Sequence, residues 1–278
     1  MQTKQTTCKN CGNLFEGRYC NVCGEKSFYE KDKSIRNLLA EAFHFTTHFE
    51  GTFFNTLKAI LTRPGKLSLD YCNGLRKKYF KPISFFLMLV IIYLLFPVFE
   101  GLNMKLYYHV RHNLYGDYAM QKTIEVMKEK NLTDPQIAEL FHQKGEKTSK
   151  FLLFIIIPAM ALVSWLLAFR KRKLYFDHFI FSIEVSSFFI FWGFLLLPLL
   201  LSLIHLIGLG WVFSNETQTG IAIMSVFLVY LFIASKRFFG FRWSYGIVYS
   251  LLFSLGLILF IEYIYKFILF WIAINLIG

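Results

Sequence analysis

The stretch Arg63–Pro97, RPGKLSLDYCNGLRKKYFKPISFFLMLVIIYLLFP, decides the fold of this chain. Its first half carries one acid, Asp70, and six basic residues: Arg63, Lys66, Arg76, Lys77, Lys78 and Lys81. The run Ile83–Phe99 that follows has no charge. A basic segment directly before an uncharged apolar segment is typical of a chain that leaves the cytoplasm and enters a bilayer. We therefore expect a cytoplasmic module before this junction and a membrane domain after it.

The composition of the whole chain indicates an integral membrane protein. Of its 278 residues, 55% are hydrophobic and 17% are charged, and the mean hydropathy is +0.46. A soluble domain of this length would carry more charge, so long apolar stretches must supply the excess. The net charge of +12 comes from basic residues beside the apolar runs. This placement favours membrane lipids with anionic headgroups as partners, and no nucleic acid is expected.

Four of the five cysteines lie near the N-terminus, at Cys8, Cys11, Cys20 and Cys23. They form two C-x-x-C pairs, each followed by a glycine whose turn lets backbone N–H groups point at the thiolates. Two such knuckles facing each other make a closed site with four sulfur ligands, which predicts structural Zn²⁺. The alternatives are an iron or iron–sulfur site and two redox pairs. Residues 1–30 are thus a predicted zinc ribbon, which should need its metal to fold and can bind a protein partner.

Residues 31–82 are predicted to form amphipathic helices and the basic juxtamembrane segment. Ser34 can cap a first helix that continues to Phe45, and Thr52–Leu61 forms a second. Both are too short and too polar to span, so we expect them on the inner leaflet. Three residues of the first segment can share one helix face: Glu41, His44 and His48. Interfacial or packing histidines are favoured over a metal site here, because this spacing alone specifies little.

The basic residues of the junction can act in two ways. In the simpler interpretation they are a positive-inside anchor. In the more specific interpretation they form a pocket for a phosphorylated lipid headgroup, because arginine guanidinium groups and the backbone N–H groups of glycine bind phosphate. The predicted headgroup residues are Arg63, Lys66, Gly74, Arg76, Lys77, Lys78 and Lys81.

The predicted fold class is an all-α integral membrane protein with about five transmembrane helices and a small N-terminal zinc ribbon. Residues 83–278 hold the span candidates Ile83–Phe99, Phe151–Phe169, Ile183–Ile207, Gly220–Ala234 and Tyr245–Ala273. The links between them are alternately basic and non-basic, which predicts a cytoplasmic N-terminus and an external C-terminus. The loop 100–150 is then external, and a helical hairpin is expected there from Asp117–Lys130 and a second helix running from Pro135 to Gly145.

The chain resembles an uncharacterised family of bacterial, Bacteroidetes-type membrane proteins that pair an N-terminal zinc ribbon with a multi-span domain of unknown function. One shared motif, R-P-G…Y-x-x-G-x-R-K-x-Y-x-x-P, falls on Arg63, Pro64, Gly65, Tyr71, Gly74, Arg76, Lys77, Tyr79 and Pro82. A second, an acid followed by histidine, falls on Asp177 and His178. Members often have another histidine about six residues later, where this chain has Glu184. A remoter similarity is to the five-span Yip-type trafficking proteins, and the family brings no established activity.

Ionisable residues inside predicted spans are functional candidates. In this chain they are Asp177, His178, Glu184, His205, Glu262 and Lys266. Asp177 and Glu184 are seven residues apart, hence on one helix face. Glu262 precedes Lys266 by four residues, the favourable order for an ion pair, which we favour over a proton relay.

Three functions follow from these features. The leading hypothesis is a non-enzymatic adaptor or scaffold of the bacterial inner membrane, with a structural zinc ribbon and an anionic-lipid-binding junction. The first alternative is a transporter or channel that uses the intramembrane acids and histidines, although no internal repeat is obvious. The second is an enzyme that acts on lipid-linked phosphates at the junction. No recognisable nucleophile–base pair or acidic metal motif supports it.

Overall fold

A computed structural model describes residues 5–27, 34–35, 51–95, 103–207 and 216–278, without the side chains of residues 204–205 and 216–219. Contacts divide the chain into two compact units. The first comprises Met1–Leu95 with Met160–Phe253, and the second comprises Phe96–Ala159 with Ser254–Gly278. The predicted helix from Ser34 to Phe45 lies outside the described residues beyond residue 35. His44, His48 and the side chain of His205 also lie outside the described residues.

Residues 5–27 form a small module, here called the cysteine module. Strands β1 (Thr6–Thr7) and β2 (Leu14–Phe15) pair antiparallel, and a single bridge joins Tyr19 to Lys26. The core of the module consists of Cys8, Phe15 and Cys20, with Cys23 packed against them. So small an apolar core contributes little stability by itself.

The junction forms three helices of the first unit: α1 (Gly51–Thr62), α2 (Lys66–Cys72) and α3 (Pro82–Leu95). Helix α3 begins with a proline, whose missing N–H is not needed in the first turn. It has 14 residues and is therefore about 21 Å long, shorter than a hydrocarbon core of about 30 Å. The remainder of the predicted first span, residues 96–99, lies outside the described residues.

The longer helices follow the apolar stretches of the sequence. Two of them are continuous: α6 (Asp134–Ala168) and α9 (Glu216–Phe239). Helix α7 (Tyr175–Phe189) continues through a π-helical segment, Ile190–Leu196, into α8 (Leu197–Leu206). Helix α10 (Trp243–Leu259) likewise continues through a π-helical segment, Phe260–Tyr265, into α11 (Lys266–Asn275). Within the described residues, four helices are long and apolar enough to cross a membrane: Asp134–Ala168, Tyr175–Leu203, Gly220–Phe239 and Trp243–Asn275. The chain therefore has the helices of a membrane protein, and the fifth predicted span is represented only by the shorter α3.

Helix α7 is the central element of the first unit. Every residue from Phe176 to Phe188 is buried, and the helix packs against α2, α3 and α9. A helix buried on all sides is typical of the middle of a bundle. The polar residues of α7 must therefore find their partners inside the protein.

The second unit contains α4 (Leu106–His109) and α5 (Gly116–Lys130). Helix α5 corresponds to the predicted helix Asp117–Lys130 and ends at Asn131, whose φ of 51° is left-handed. The second helix of the predicted hairpin is not separate, because α6 runs from Asp134 to Ala168 without a break. Residues 146–150, EKTSK, contain no glycine or proline that would end a helix.

Candidate functional site

The four cysteines of the cysteine module converge on one point. The Sγ atoms of Cys8 and Cys23 are 3.4 Å apart, those of Cys11 and Cys20 are 3.6 Å apart, and all four lie within 4.8 Å of one another. Sulfur ligands arranged tetrahedrally at about 2.3 Å from a metal are separated by about 3.8 Å. The four thiols can therefore hold a metal ion after small adjustments of their side chains.

Backbone turns at the two C-x-x-C pairs aim the thiols inward. In the first pair, Gly12 N–H donates to the carbonyl of Cys8 at 3.0 Å, and in the second, Gly24 N–H donates to the carbonyl of Cys20 at 2.8 Å. Both glycines have a left-handed φ, 77° and 67°, which a residue with a side chain rarely adopts. The backbone N–H of Cys23 lowers the pKa of the Cys20 thiol to about 6. The second turn thus favours the thiolate of Cys20, the form that binds metal.

The cysteine module is attached to the basic junction through Lys77. The backbone N–H of Lys77 donates to Oε2 of Glu25 at 2.9 Å, and its ammonium group donates to the carbonyl oxygen of Cys23. Glu25 is only 6% exposed. Lys77, predicted as a lipid-headgroup residue, therefore donates to the cysteine module with both its backbone N–H and its ammonium group, the latter to one of the four clustered cysteines.

Further predicted headgroup residues have protein partners. Lys66 forms an ion pair with Asp70 at 2.8 Å, and the hydroxyl of Tyr79 donates to the other oxygen of Asp70 at 2.7 Å. Burial, together with the neighbouring Asp70, raises the pKa of Tyr79, so the hydroxyl remains a donor. The Arg76 guanidinium lies 4.5 Å from the ring centroid of Tyr71. The exposed members of the predicted set, besides Lys77, are Arg63, Lys78 and Lys81.

The side chain of Glu184, on α7, is hydrogen-bonded to the start of α2. Its side chain is fully buried, and Oε1 accepts the Gly65 N–H at 2.8 Å. Oε2 accepts the Ser68 N–H at 2.7 Å and also the Ser68 hydroxyl. The first N–H groups of a helix have no partner within the helix, and they favour a negative charge. A carboxylate from a distant part of the sequence therefore caps α2.

The turn before α2 also lies against α9. Gly65 has a φ of 77°, and a Cβ on it would lie 2.4 Å from the carbonyl oxygen of Ala234. The guanidinium of Arg237 donates to the carbonyl of Pro64 at 2.5 Å. The Pro-Gly of the R-P-G motif thus allows the turn to contact the α9 backbone. Glu184 was predicted as an intramembrane polar residue, but no sequence signal indicated these partners.

Asp177 and His178 have separate partners. Oδ2 of Asp177 forms an ion pair with Arg172 at 3.0 Å. His178 Nε2 donates to the carbonyl of Arg172 at 2.8 Å, so Nδ1 faces the Ser164 hydroxyl at 2.9 Å. The same hydroxyl lies 2.8 Å from that of Tyr249, which extends the chain of hydrogen bonds to α10. Their spacing placed Asp177 and Glu184 on one helix face, but in the structure Glu184 has different partners from Asp177 and His178.

Glu262 and Lys266 form an ion pair at 2.5 Å, as their spacing indicates. Nε2 of His112 lies 3.5 Å from the other oxygen of Glu262. His112 belongs to the predicted external loop, and its sequence context indicates no role for it. The three side chains lie together in the second unit.

The apolar helices and the cysteine cluster define a helical membrane protein with a potential metal site near its N-terminus. A family model described as "Protein of unknown function (DUF3667)" matches residues 50–94, which contain the R-P-G motif, α1, α2 and all but the last residue of α3. This match agrees with the resemblance to an uncharacterised family and carries no activity. It does not reach the cysteine module, so the zinc-ribbon, Bacteroidetes and Yip-type resemblances stay predictions. No curated protein and no solved structure matched the chain.

Proposed function

We propose that this chain is a five-span adaptor or scaffold of the bacterial inner membrane that presents a zinc ribbon on the cytoplasmic side. The observation that carries the proposal is the attachment of the cysteine module to the junction, through the two contacts of Lys77 with Glu25 and Cys23. The junction is in turn capped by Glu184 of the buried helix α7. A module held in this way can present a fixed surface to a partner.

The cysteine module has a surface suited to a protein partner. Leu14, Tyr19 and Val22 are 61%, 59% and 68% exposed, so the module offers apolar side chains that a partner would cover. A site closed by four sulfur ligands has no open position for water or substrate, so zinc would organise this surface and not catalyse. The exposed cations Arg63, Lys78 and Lys81 would attract anionic lipid at the same membrane face.

The two alternative functions have less support. Transport requires ionisable groups that can exchange partners with a substrate, whereas Glu184 accepts three hydrogen bonds and is fully buried. An enzyme requires access to its nucleophile, whereas Ser164 and His178, although 2.9 Å apart, are both fully buried.

The metal is expected to be zinc. Analysis of the purified protein should find about one zinc per chain, and Cys20→Ser should remove most of it because one of four ligands is lost. Cys72→Ser is the matched control, since Cys72 is a buried cysteine of α2 outside the module. Iron in place of zinc, or full zinc content in Cys20→Ser, would contradict the assignment.

The adaptor function can be tested by site-specific crosslinking in cells. A photoreactive residue at Val22 should yield a discrete crosslinked protein, because this exposed side chain lies on the proposed partner surface. The same residue at Leu114, which is 72% exposed but belongs to the second unit, should not yield that product. Adding Cys20→Ser to the Val22 protein should abolish the product. A crosslinking pattern that is the same in all three proteins would exclude the ribbon as the docking surface.

A further inference from the structure

A polar pocket of about 340 Å³ lies in the second unit, between residues 104–113 and the π-helical segment of the last long helix. Its lining includes Tyr108, Arg111, His112, Glu262, Tyr263 and Lys266. A volume of this size accommodates a small organic ligand. Segments of π-helix are frequent at functional sites, because they displace side chains from the regular helical positions.

We propose that this pocket binds the phosphate group of a small anionic ligand. Of its lining side chains, Arg111 and Lys266 carry positive charge, and His112 can donate a hydrogen bond to an anion. The one acid of the lining, Glu262, is already bound by Lys266 at 2.5 Å and approached by His112 at 3.5 Å. The lining therefore carries an excess of positive charge even with His112 neutral.

Arg111 is the side chain best placed to recognise phosphate. Its guanidinium lies 3.7 Å from the ring centroid of Tyr107, and no carboxylate of the described residues pairs with it. The planar guanidinium offers parallel N–H donors that match two phosphate oxygens. Stacking on the tyrosine orients the guanidinium and leaves the N–H donors at its edge available to a phosphate.

Aromatic contacts fix the position of His112. His112 stacks on Tyr115 at a centroid distance of 4.2 Å, and the hydroxyl of Tyr115 lies 2.8 Å from Nδ1 of His109. His109 is fully buried, and burial together with the charge of Lys266 lowers its pKa to about 3. His109 is therefore neutral and supports the position of His112 without adding charge to the pocket.

The remaining lining suits the carbon skeleton of a phosphate ester. Met104, Tyr108 and Tyr263 offer apolar surface beside the charged groups. A phosphate with a short carbon skeleton occurs both in a phospholipid headgroup and in a soluble phosphate ester. Both offer the phosphate group that Arg111 would bind. Separate probes distinguish these sources.

The test is calorimetric titration of the full chain in a neutral detergent. The probes are glycerol 3-phosphate, short-chain phosphatidylglycerol and, as the uncharged control, glycerol. Arg111→Gln should weaken binding of the phosphate probe at least about tenfold, because a charge-assisted pair of hydrogen bonds is lost. Lys128→Gln is the matched control, an exposed cation of α5 in the same unit and not in the pocket lining, and it should leave affinity unchanged.

Glu262→Gln provides a test of opposite sign. Removing the one acid of the lining and releasing Lys266 should tighten binding severalfold, whereas a merely structural ion pair would leave affinity unchanged or lower it. Binding of glycerol 3-phosphate supports a soluble ester, and binding of the short-chain lipid alone supports a headgroup. The proposal is overturned if neither phosphate probe binds, if Arg111→Gln behaves like Lys128→Gln, or if Glu262→Gln, folded as judged by its melting temperature, binds no more tightly.

Discussion

Replacing Glu184 by alanine should lower the free energy of unfolding by about 3 kcal/mol or more, because three buried donors lose this acceptor and only the hydroxyl among them has another described one, the Ile180 carbonyl at 3.4 Å. These donors are the N–H groups of Gly65 and Ser68 and the Ser68 hydroxyl. Glu184→Gln should have an intermediate effect, since one oxygen remains and the new amide N–H₂ faces a donor. Thermal unfolding of the purified protein in detergent measures both effects.

Ser187→Ala is the matched control for Glu184. Ser187 lies on the same helix and is 1% exposed, and its hydroxyl has no hydrogen-bond partner among the described residues. Its removal should therefore change stability by less than about 1 kcal/mol. If Glu184→Ala were no more destabilising than Ser187→Ala, the carboxylate would not be the cap of α2.

Gly65→Ala should have a comparably large effect. The added methyl group would lie 2.4 Å from the backbone oxygen of Ala234, and backbone cannot rotate away as a side chain can. The left-handed φ adds about 1–2 kcal/mol of conformational strain. We expect a total loss of about 3 kcal/mol or more, because α2 and α9 must separate to admit the methyl group.

Gly240→Ala isolates the conformational part of this effect. Gly240 also has a left-handed φ, 68°, but a Cβ there would meet no atom within 4 Å. Its substitution should therefore cost only about 1–2 kcal/mol. Equal melting temperatures for Gly65→Ala and Gly240→Ala would show that α9 does not constrain the turn.

Several features were predictable because they depend on neighbours in the sequence. The apolar runs gave the long helices, since burying the backbone in a bilayer requires helical hydrogen bonds along the whole run. The C-x-x-C-G pairs indicated that four cysteines would meet, because each glycine turn is local. The spacing of Glu262 and Lys266 likewise sets their distance on one helix.

Other features depended on how helices pack, which periodicity does not encode. The partners of Glu184 at Gly65 and Ser68 are 119 and 116 residues away in the sequence, and Arg237 is 173 residues from Pro64. The apolar residues of α7 are spread around the helix, so its sequence gives no sign of which face meets which neighbour. The contacts of Lys77 with the cysteine module could not be predicted either, because a lysine in a basic run is equally compatible with a lipid contact.

The sequence by itself determined the helical membrane class and the four-cysteine site, because hydropathy and short turns act within a few residues. The tertiary structure alone decided that Glu184 caps α2, that Lys77 holds the cysteine module, and that His112 joins Glu262 and Lys266. Each of these contacts joins groups brought together only by packing. A buried polar group must be satisfied, but any of several distant donors can satisfy it, and the fold selects which one does.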